Sequence, residues 1–265
     1  MKTSGAPGRK SISLSGVYAV TAATGNLGRL ILDRLKGDVI AVVRDPSRVP
    51  PGVEARPGDY DDPAGLRAAF AGVDRLLLIS SPELDAARRI AHHRNAVEAA
   101  VAAGVRSIVY TSFLGADTVA TGLTEAHHAT EKLITESGLA ATFLRNPFYG
   151  DAFLPQVTDG VIRSSTAGRG LNTAFRTDLA QAAVNALTGD DHEGRAYDLT
   201  GPLWTYPQVA EALGVAYEEV PDAAPGPMAW LNGLVRAGAM ERQTPDLEIL
   251  LGRPAESVAD RLKWS

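Results

Sequence analysis

A turn near the start of the chain has the spacing of a phosphate-binding loop. An apolar run from Val17 to Thr21 is followed by A-x-x-G-x-x-G, from Ala22 to Gly28. A strand, a tight turn and a helix in this order present backbone N–H groups and a helix N-terminus to a phosphate. Gly25 lets the backbone approach a pyrophosphate, and Gly28 lets the helix pack closely on the strand. We therefore predict a dinucleotide site formed by Ala23, Thr24, Gly25, Asn26, Leu27 and Gly28.

Ala22 stands where such a turn normally begins with glycine. If this position needs a positive φ, the alanine Cβ costs roughly 1–2 kcal/mol, and otherwise the cost is small. The alanine also leaves open the hypothesis that the cofactor site is weakened and that the protein carries out non-redox chemistry.

Arg44 follows the second predicted strand, where the adenosine ribose of a bound dinucleotide would lie. A carboxylate at this position would bind the ribose 2′-hydroxyl, whereas arginine is a bidentate partner for phosphate. Arg48 lies four residues further on. The sequence thus favours NADPH over NADH. The alternative is that Arg44 is a solvated arginine at the end of a strand without a role in binding.

Reductases of the short-chain type use Tyr-x-x-x-Lys, in which tyrosine donates a proton and lysine lowers its pKa. None of the seven tyrosines is followed four residues later by lysine. In the register of the helix after the fifth strand, Leu123 takes the tyrosine position and His127 the lysine position. Reduction of a quinone depends less on an acidic side chain of the protein, because hydride addition yields a stabilised phenolate that water can protonate. His127 is the candidate proton donor or contact of the cofactor ribose. The alternative is that His127 is a partly exposed histidine of this helix without such a role.

Other reaction classes find little support. The chain contains no cysteine and no H-x-x-x-H pattern, and its adjacent histidine pairs point about 100° apart on a helix, so we predict no metal site. A G-x-S-x-G nucleophile elbow is also absent.

Aromatic residues follow the ends of the fifth and sixth predicted strands. Phe113, Phe148 and Tyr149, with Asn146 at the strand end, are expected to line a flat apolar pocket for a planar aromatic substrate. Phe153 is a weaker candidate for the same pocket. Ordinary packing of a small lobe on the sheet is the alternative.

The elements that position these residues alternate between strands and helices. Six apolar strands separated by helices predict an α/β fold with a doubly wound parallel sheet. Ligands of such sheets lie beyond the carboxyl ends of the strands. The predicted strand ends are Ala22–Ala23, Arg44, Ser80, Ser81, Thr111, Ser112 and Asn146.

Three segments are expected along the chain: a disordered leader over residues 1–15, a dinucleotide-binding core over 16–150, and a lobe over 151–265 that caps the crevice, with some elements returning to the core. The chain has 265 residues, a net charge of −5 and interspersed charges of both signs, which argues against nucleic-acid binding. No apolar run approaches the ~18 residues of a membrane span. We expect a cytoplasmic enzyme, and the oligomeric state stays open, a homodimer included.

Several motifs in fixed order resemble the NmrA-like atypical short-chain dehydrogenases/reductases, in particular their NADPH-dependent quinone oxidoreductase branch. The similarity covers about residues 16 to 262 and includes T-A-A-T-G-N-L-G, A-V-V-R-D-P, G-D-Y-D-D, V-D-R-L-L-L-I-S-S, A-A-G-V-R-S-I-V-Y-T-S, H-H-A-T-E and T-F-L-R-N-P-F-Y.

The resemblance implies a Rossmann core, a small C-terminal substrate lobe, NADPH bound at Thr24 to Gly28 and Arg44, and reduction of quinone-like compounds. The family also contains regulators that sense NADP(H) without turnover, and this is the alternative function. The chain departs from the family at Ala22, usually glycine, and at His128, usually arginine.

Overall fold

The computed structural model describes residues 16–118, 122–222 and 226–263. The predicted disordered leader, residues 1–15, lies outside this part of the chain.

Ten strands and nine helices occur in the described residues. The strands are β1 (Val17–Thr21), β2 (Asp38–Val43), β3 (Glu54–Pro57), β4 (Arg75–Leu78), β5 (Ser107–Phe113), β6 (Ala140–Asn146), β7 (Val157–Thr158), β8 (Val161–Ser164), β9 (Arg195–Asp198) and β10 (Ala216–Glu219). The helices are α1 (Asn26–Leu32), α2 (Pro63–Ala69), α3 (Ala86–Ala103), α4 (Glu125–Glu136), α5 (Arg176–Thr188), α6 (Tyr206–Leu213), α7 (Pro227–Arg236), α8 (Asp246–Leu251) and α9 (Val258–Lys263).

The main sheet has seven strands in the order β3-β2-β1-β4-β5-β6-β9, and every neighbouring pair is parallel. The strand order reverses beside β1, so the crevice between the carboxyl ends of β1 and β4 is the switch point of a doubly wound sheet. The predicted α/β fold is confirmed. The ends of β1, β2 and β4 are thereby brought to one edge.

The central strands are buried on both faces because helices cover both sides of a parallel sheet. In β1, Tyr18 and Val20 pack in one cluster with residues of α1, α5 and α8, whereas Ala19 packs in the other with residues of α2, α3 and α4. Burial of each large aliphatic side chain contributes about 1.5–3 kcal/mol relative to exposure. These two layers hold the strand ends rigidly in place.

Local signals fixed several helix ends. The Asp62 carboxylate accepts a hydrogen bond from Gly65 N and caps α2, and Gly104 ends α3 in the left-handed conformation at φ 77°. The sequence pattern predicts a helix from Glu83 to Ala103, whereas α3 begins at Ala86. The reason is that the Glu83 carboxylate accepts the backbone N–H groups of Leu84 and Asp85, which holds this segment as a loop.

A second, three-stranded sheet in the order β10-β8-β7 forms part of the C-terminal region. Its apolar cluster includes Phe153, Ile162, Trp204, Val235 and Val258, and helices α6, α7 and α9 contribute to it. The sequence from Pro147 to Thr177 shows no strong period, since strands of two and four residues are too short to display alternation. Elements α5, β9 and α8 instead pack on the main sheet.

None of the helices in the described segments combines the length and the apolar character that a bilayer crossing requires.

Candidate functional site

The turn after β1 allows α1 to lie close to the end of this strand. Gly25 N donates to Ala22 O over 2.9 Å, and Ala22 has a φ of 49°, so the alanine does adopt the left-handed conformation. A Cβ on Gly28 would lie 2.5 Å from the Ala22 oxygen and 2.7 Å from Ala23 Cα. Only glycine therefore lets α1 sit this near to the end of β1.

The first turn of α1 presents backbone donors. Gly25 is the N-cap residue and makes no side-chain capping bond. Within the described residues, the N–H groups of Asn26, Leu27 and Gly28 donate to no protein acceptor. Free N–H groups at the positive end of a helix fit a pyrophosphate. The donor set and the bare glycine surface thus match the phosphates of a dinucleotide.

A cavity of about 900 Å³ lies in front of this turn. Among the residues predicted from sequence, Thr24, Gly25, Asn26, Arg44 and Ser81 line it. Ala23, Leu27 and Gly28 are buried beneath it. Its remaining wall is formed by Thr21, Ala22, Val42, Val43, Asp45, Arg48, Gly58, Asp59, Tyr60, Asp61, Leu66, Pro82, Glu83, Leu84, Arg88 and His92.

Two arginines face one end of the cavity without a counter-ion. Arg44 and Arg48 are exposed, and in the described part of the chain neither forms an ion pair. The Asp45 carboxylate between them accepts the Ser47 N–H and hydroxyl at Oδ1, over 3.0 and 2.6 Å, and these bonds lower its pKa more than the charge of Arg48 does. Two free guanidinium groups next to a phosphate-binding turn suit a further phosphate.

One carboxylate of the acidic loop beside the cavity, Asp61, is paired with side chains of α3. Asp61 pairs with Arg88 at 3.0 Å and with His92 Nε2 at 2.9 Å, and the hydrogen bond from Arg88 lowers the pKa of the Asp61 carboxyl. His92 Nδ1 in turn lies 2.8 Å from the Ser81 hydroxyl. This chain of contacts fixes the loop after β4, which forms one wall of the cavity.

The other predicted strand-end residues lie deeper. Ser80 N donates to Thr111 Oγ1 over 2.9 Å, and the Ser112 hydroxyl donates to the Glu131 carboxylate over 2.6 Å. Asn146 is buried at the end of β6 and accepts a bond from Leu114 N. These residues are not among those lining the cavity.

A buried polar cluster connects α3, β5 and α4, and sequence reasoning missed most of it. His93 Nε2 accepts the Ser81 N–H at 2.9 Å, so the proton of the neutral ring is on Nδ1 and goes to Thr130 Oγ1 at 2.7 Å. The Tyr110 hydroxyl lies 2.9 Å from His127 Nδ1 and 3.4 Å from His93 Nδ1. Because His93 Nδ1 already carries a proton and His127 Nδ1 is the nearer of the two ring nitrogens, we assign the Tyr110 proton to the bond with His127.

This assignment leaves His127 with its proton on Nε2. No described residue forms a hydrogen bond with Nε2, and the ring is 7% exposed. Burial, and secondarily the charge of Arg89, lowers the pKa of His127 to about 3. His127 is therefore a neutral N–H donor over the whole physiological pH range, and not an acid poised to lose a proton.

Aromatic rings surround this donor. Phe113 lies 5.9 Å from His127 between ring centroids, and Phe148 lies 5.1 Å from Phe113. Phe148 also contacts Trp230 of α7, whose ring is half exposed, at 6.4 Å. The predicted residues Phe113 and Phe148 are thus brought together, and Phe153 adjoins Phe148 at 6.1 Å.

Tyr149 lies apart from these rings. Its ring is covered by the Arg176 guanidinium at 4.3 Å and packs against the cluster of the main sheet. Neighbouring residues in extended backbone point to opposite sides, so Phe148 and Tyr149 do not share one pocket wall. Trp230 instead lies beside Phe148, and this contact depends on the packing of α7 and not on the local sequence.

In the described residues, no group of three or more potential ligands could hold a metal ion. His92 and His93 point into different contacts, with Asp61 and with Thr130.

Comparison with known proteins shows what this site is similar to. Residues 22–190 match the model of a family described as NAD(P)H-binding. Quinone oxidoreductase 2 of Escherichia coli is 39% identical over 211 residues, which is 74% of this chain and 73% of the relative. A (4-alkanoyl-5-oxo-2,5-dihydrofuran-3-yl)methyl phosphate reductase of Streptomyces griseus is 33% identical over 278 residues, 93% of this chain and 95% of that one.

Two solved structures share the architecture. The Citrobacter sp. triphenylmethane reductase complexed with NADP(H) superposes with a TM-score of 0.85 at 31% identity, over 93% of this chain and 99% of that chain. The NADPH-dependent quinone oxidoreductase from Escherichia coli complexed with NADPH superposes with a TM-score of 0.82 at 32% identity, over 94% of this chain and 99% of that chain.

Proposed function

The chain belongs to the NAD(P)H-binding family, and on that premise we propose that it is an NADPH-dependent oxidoreductase that transfers a hydride to a quinone or another planar conjugated carbonyl compound. The observation that carries the proposal is the cavity in which the N–H groups of α1 and the unpaired Arg44 and Arg48 face the same space.

NADPH, when bound, supplies the hydride. The N–H groups of Asn26 to Gly28 would hold its pyrophosphate, and Arg44 with Arg48 its 2′-phosphate. Since Arg44 and Arg48 have no carboxylate partner in the described segments, binding this phosphate breaks no existing ion pair. Charge-assisted bonds to two guanidinium groups would discriminate NADPH from NADH.

The acceptor would lie against Phe113, Phe148 and Trp230. These rings offer an apolar, partly open surface that suits a flat conjugated molecule. His127 Nε2–H would donate to the acceptor oxygen as that atom gains negative charge. Tyr110 is the positioning residue, because its hydroxyl fixes the tautomer of His127.

Among the described residues, none takes the place of the tyrosine acid of ordinary carbonyl reductases. Leu123 lies in a 3-10 turn (Gly122–Thr124), is 40% exposed and cannot transfer a proton. A quinone agrees with this arrangement, because the reduced oxygen is a stabilised phenolate that water can protonate. The compounds in the names of these relatives, a quinone and the phosphate ester of an acylated furanone, are both conjugated carbonyl compounds.

The test is oxidation of NADPH by the purified protein with a panel of quinones, menadione and benzoquinone among them, and with an acylated furanone. We expect turnover with NADPH and much less with NADH. Tight NADPH binding without turnover of any acceptor would overturn the proposal in favour of an NADP(H)-sensing protein. The cytoplasmic location and the homodimer stay predictions from the sequence.

A further inference from the structure

Arg89 carries a buried polar atom that no described residue satisfies, although Glu83 attracts its charge. Its Nε is buried and forms no hydrogen bond, and no ion pair of the described residues includes this arginine. The residue as a whole is only partly exposed. A buried donor without an acceptor is costly, and an anionic ligand bound at this guanidinium would supply an acceptor.

The register of α3 separates Arg89 from the nucleotide cavity. Arg88 lines that cavity and is paired with Asp61 and Glu83, at 3.0 and 3.5 Å. Consecutive helical residues point about 100° apart, so Arg89 faces elsewhere. It lies one turn before His93, on the same helix face, and His93 contacts Ser81 N and Thr130.

This face of α3 leads to the proposed acceptor site. His93, which follows Arg89 by four residues on this face, lies 5.4 Å from Tyr110 between ring centroids, so the face that carries Arg89 is directed towards the Tyr110–His127 pair. The charge of Arg89 accordingly adds to burial in lowering the pKa of His127. Helix α3 runs from the carboxyl edge of the sheet, so its first turns, which hold Arg89, are nearest to bound ligands.

We propose that Arg89 binds an anionic group of the acceptor, so that the preferred substrates are planar conjugated carbonyl compounds carrying a carboxylate, phosphate or sulfonate. The inference rests on the proposed function and specifies its substrate class. Arg89 would anchor the anionic end of the molecule, the aromatic rings would hold its plane, and His127 would face its carbonyl oxygen.

The first experiment measures binding and needs no turnover. The protein is saturated with NADP⁺ to block the phosphate sites of the nucleotide cavity, and naphthyl phosphate and naphthol are titrated calorimetrically. We expect naphthyl phosphate to bind at least tenfold more tightly than naphthol. Arg89→Met, which keeps the apolar stem, should remove this difference. Arg94 is an exposed arginine of the same helix, and Arg94→Met should keep the difference.

The second experiment compares naphthoquinone sulfonate with menadione as acceptors of NADPH. The ratio of their kcat/KM values should fall at least tenfold in Arg89→Met and stay unchanged in Arg94→Met. Comparing ratios cancels the different intrinsic reactivity of the two quinones.

Equal binding of naphthyl phosphate and naphthol by the wild-type protein, or a preference that survives Arg89→Met, overturns the inference. Absence of quinone turnover with intact naphthyl phosphate binding would instead overturn the proposed reaction and leave the anion site standing. A loss of NADPH affinity in Arg89→Met would also count against the inference, because it would place Arg89 at the cofactor.

Discussion

The carbonyl oxygen of Ala22 occupies the space that a Cβ on Gly28 would need, at a separation of 2.5 Å. Both residues belong to the phosphate-binding turn, and the obstructing atoms at Ala22 and Ala23 are backbone. Backbone atoms cannot rotate away as a flexible side chain can. The contact therefore ties the start of α1 to the end of β1 and fixes the direction of the free N–H groups.

Gly28→Ala should consequently push α1 away from β1. We expect a loss of about 1–3 kcal/mol in the free energy of unfolding, from overpacking, and a loss of NADPH affinity of at least tenfold. Chemical denaturation and NADPH fluorescence titration measure the two effects. Gly233→Ala in α7 is the matched control, since its Cβ would meet only Arg236 Nη2 at 3.8 Å. Unchanged NADPH affinity in Gly28→Ala would contradict the role of this contact.

Ala22→Gly tests the residue by which the turn departs from its usual form. Alanine at φ 49° carries strain of roughly 1–2 kcal/mol, which glycine does not. Because this strain is present with and without nucleotide, we expect higher stability of up to about 1 kcal/mol and a change in NADPH binding of less than about 0.5 kcal/mol.

Ala167→Gly, at φ 53° and far along the chain, should give a similar gain in stability with no effect on binding. A large gain in NADPH affinity in Ala22→Gly alone would show that the Ala22 methyl weakens the cofactor site, as the non-redox hypothesis requires.

Most of the main sheet could be predicted because its signals are local. Short apolar runs bounded by turn residues gave six of its strands, and the caps at Asp62 and Gly104 are properties of a few adjacent residues. The phosphate-binding turn is also one continuous segment. Arg44 could be placed because a parallel strand next to β1 must end beside that turn.

The polar cluster at the acceptor site could not be predicted in the same way. His93, Tyr110 and His127 come from α3, β5 and α4, so their contacts depend on how three elements pack. No spacing along the chain encodes the tautomer that Tyr110 imposes. Trp230 likewise reaches Phe148 only through the position of α7. The contact of the Tyr149 ring with Arg176, apart from the other rings, also depends on the fold.

Arg44 and Arg48 should determine the choice of cofactor. In Arg44→Ala and Arg48→Ala, NADPH binding is expected to weaken about tenfold for each lost charge-assisted contact, while NADH binding changes little because NADH has no 2′-phosphate. Dissociation constants for both nucleotides provide the measurement. Arg67→Ala, an exposed arginine of α2 outside the cavity, is the control. Equal losses for the two nucleotides would show that the arginines bind another part of the cofactor.

The pair of Tyr110 and His127 should determine the rate and its pH dependence. Since burial holds the pKa of His127 near 3, the ring is neutral at every pH above about 5. The rate with menadione should therefore be independent of pH between about 5 and 8. A rate that rises or falls with a midpoint near the ordinary histidine pKa of about 6.5 would contradict a buried, neutral donor.

Removing the donor is the complementary test. His127→Phe should lower kcat by about 10²-fold, within the range of a lost donor, with little change in NADPH affinity. Tyr110→Phe keeps the ring of His127 but frees its tautomer, so a smaller loss of about tenfold is expected. Tyr197→Phe is the matched control, because Tyr197 forms a similar pair with His192, at 2.8 Å, away from the cavity. If Tyr110→Phe and Tyr197→Phe lower kcat equally, the effect is one of folding, and Tyr110 does not position His127 for the reaction.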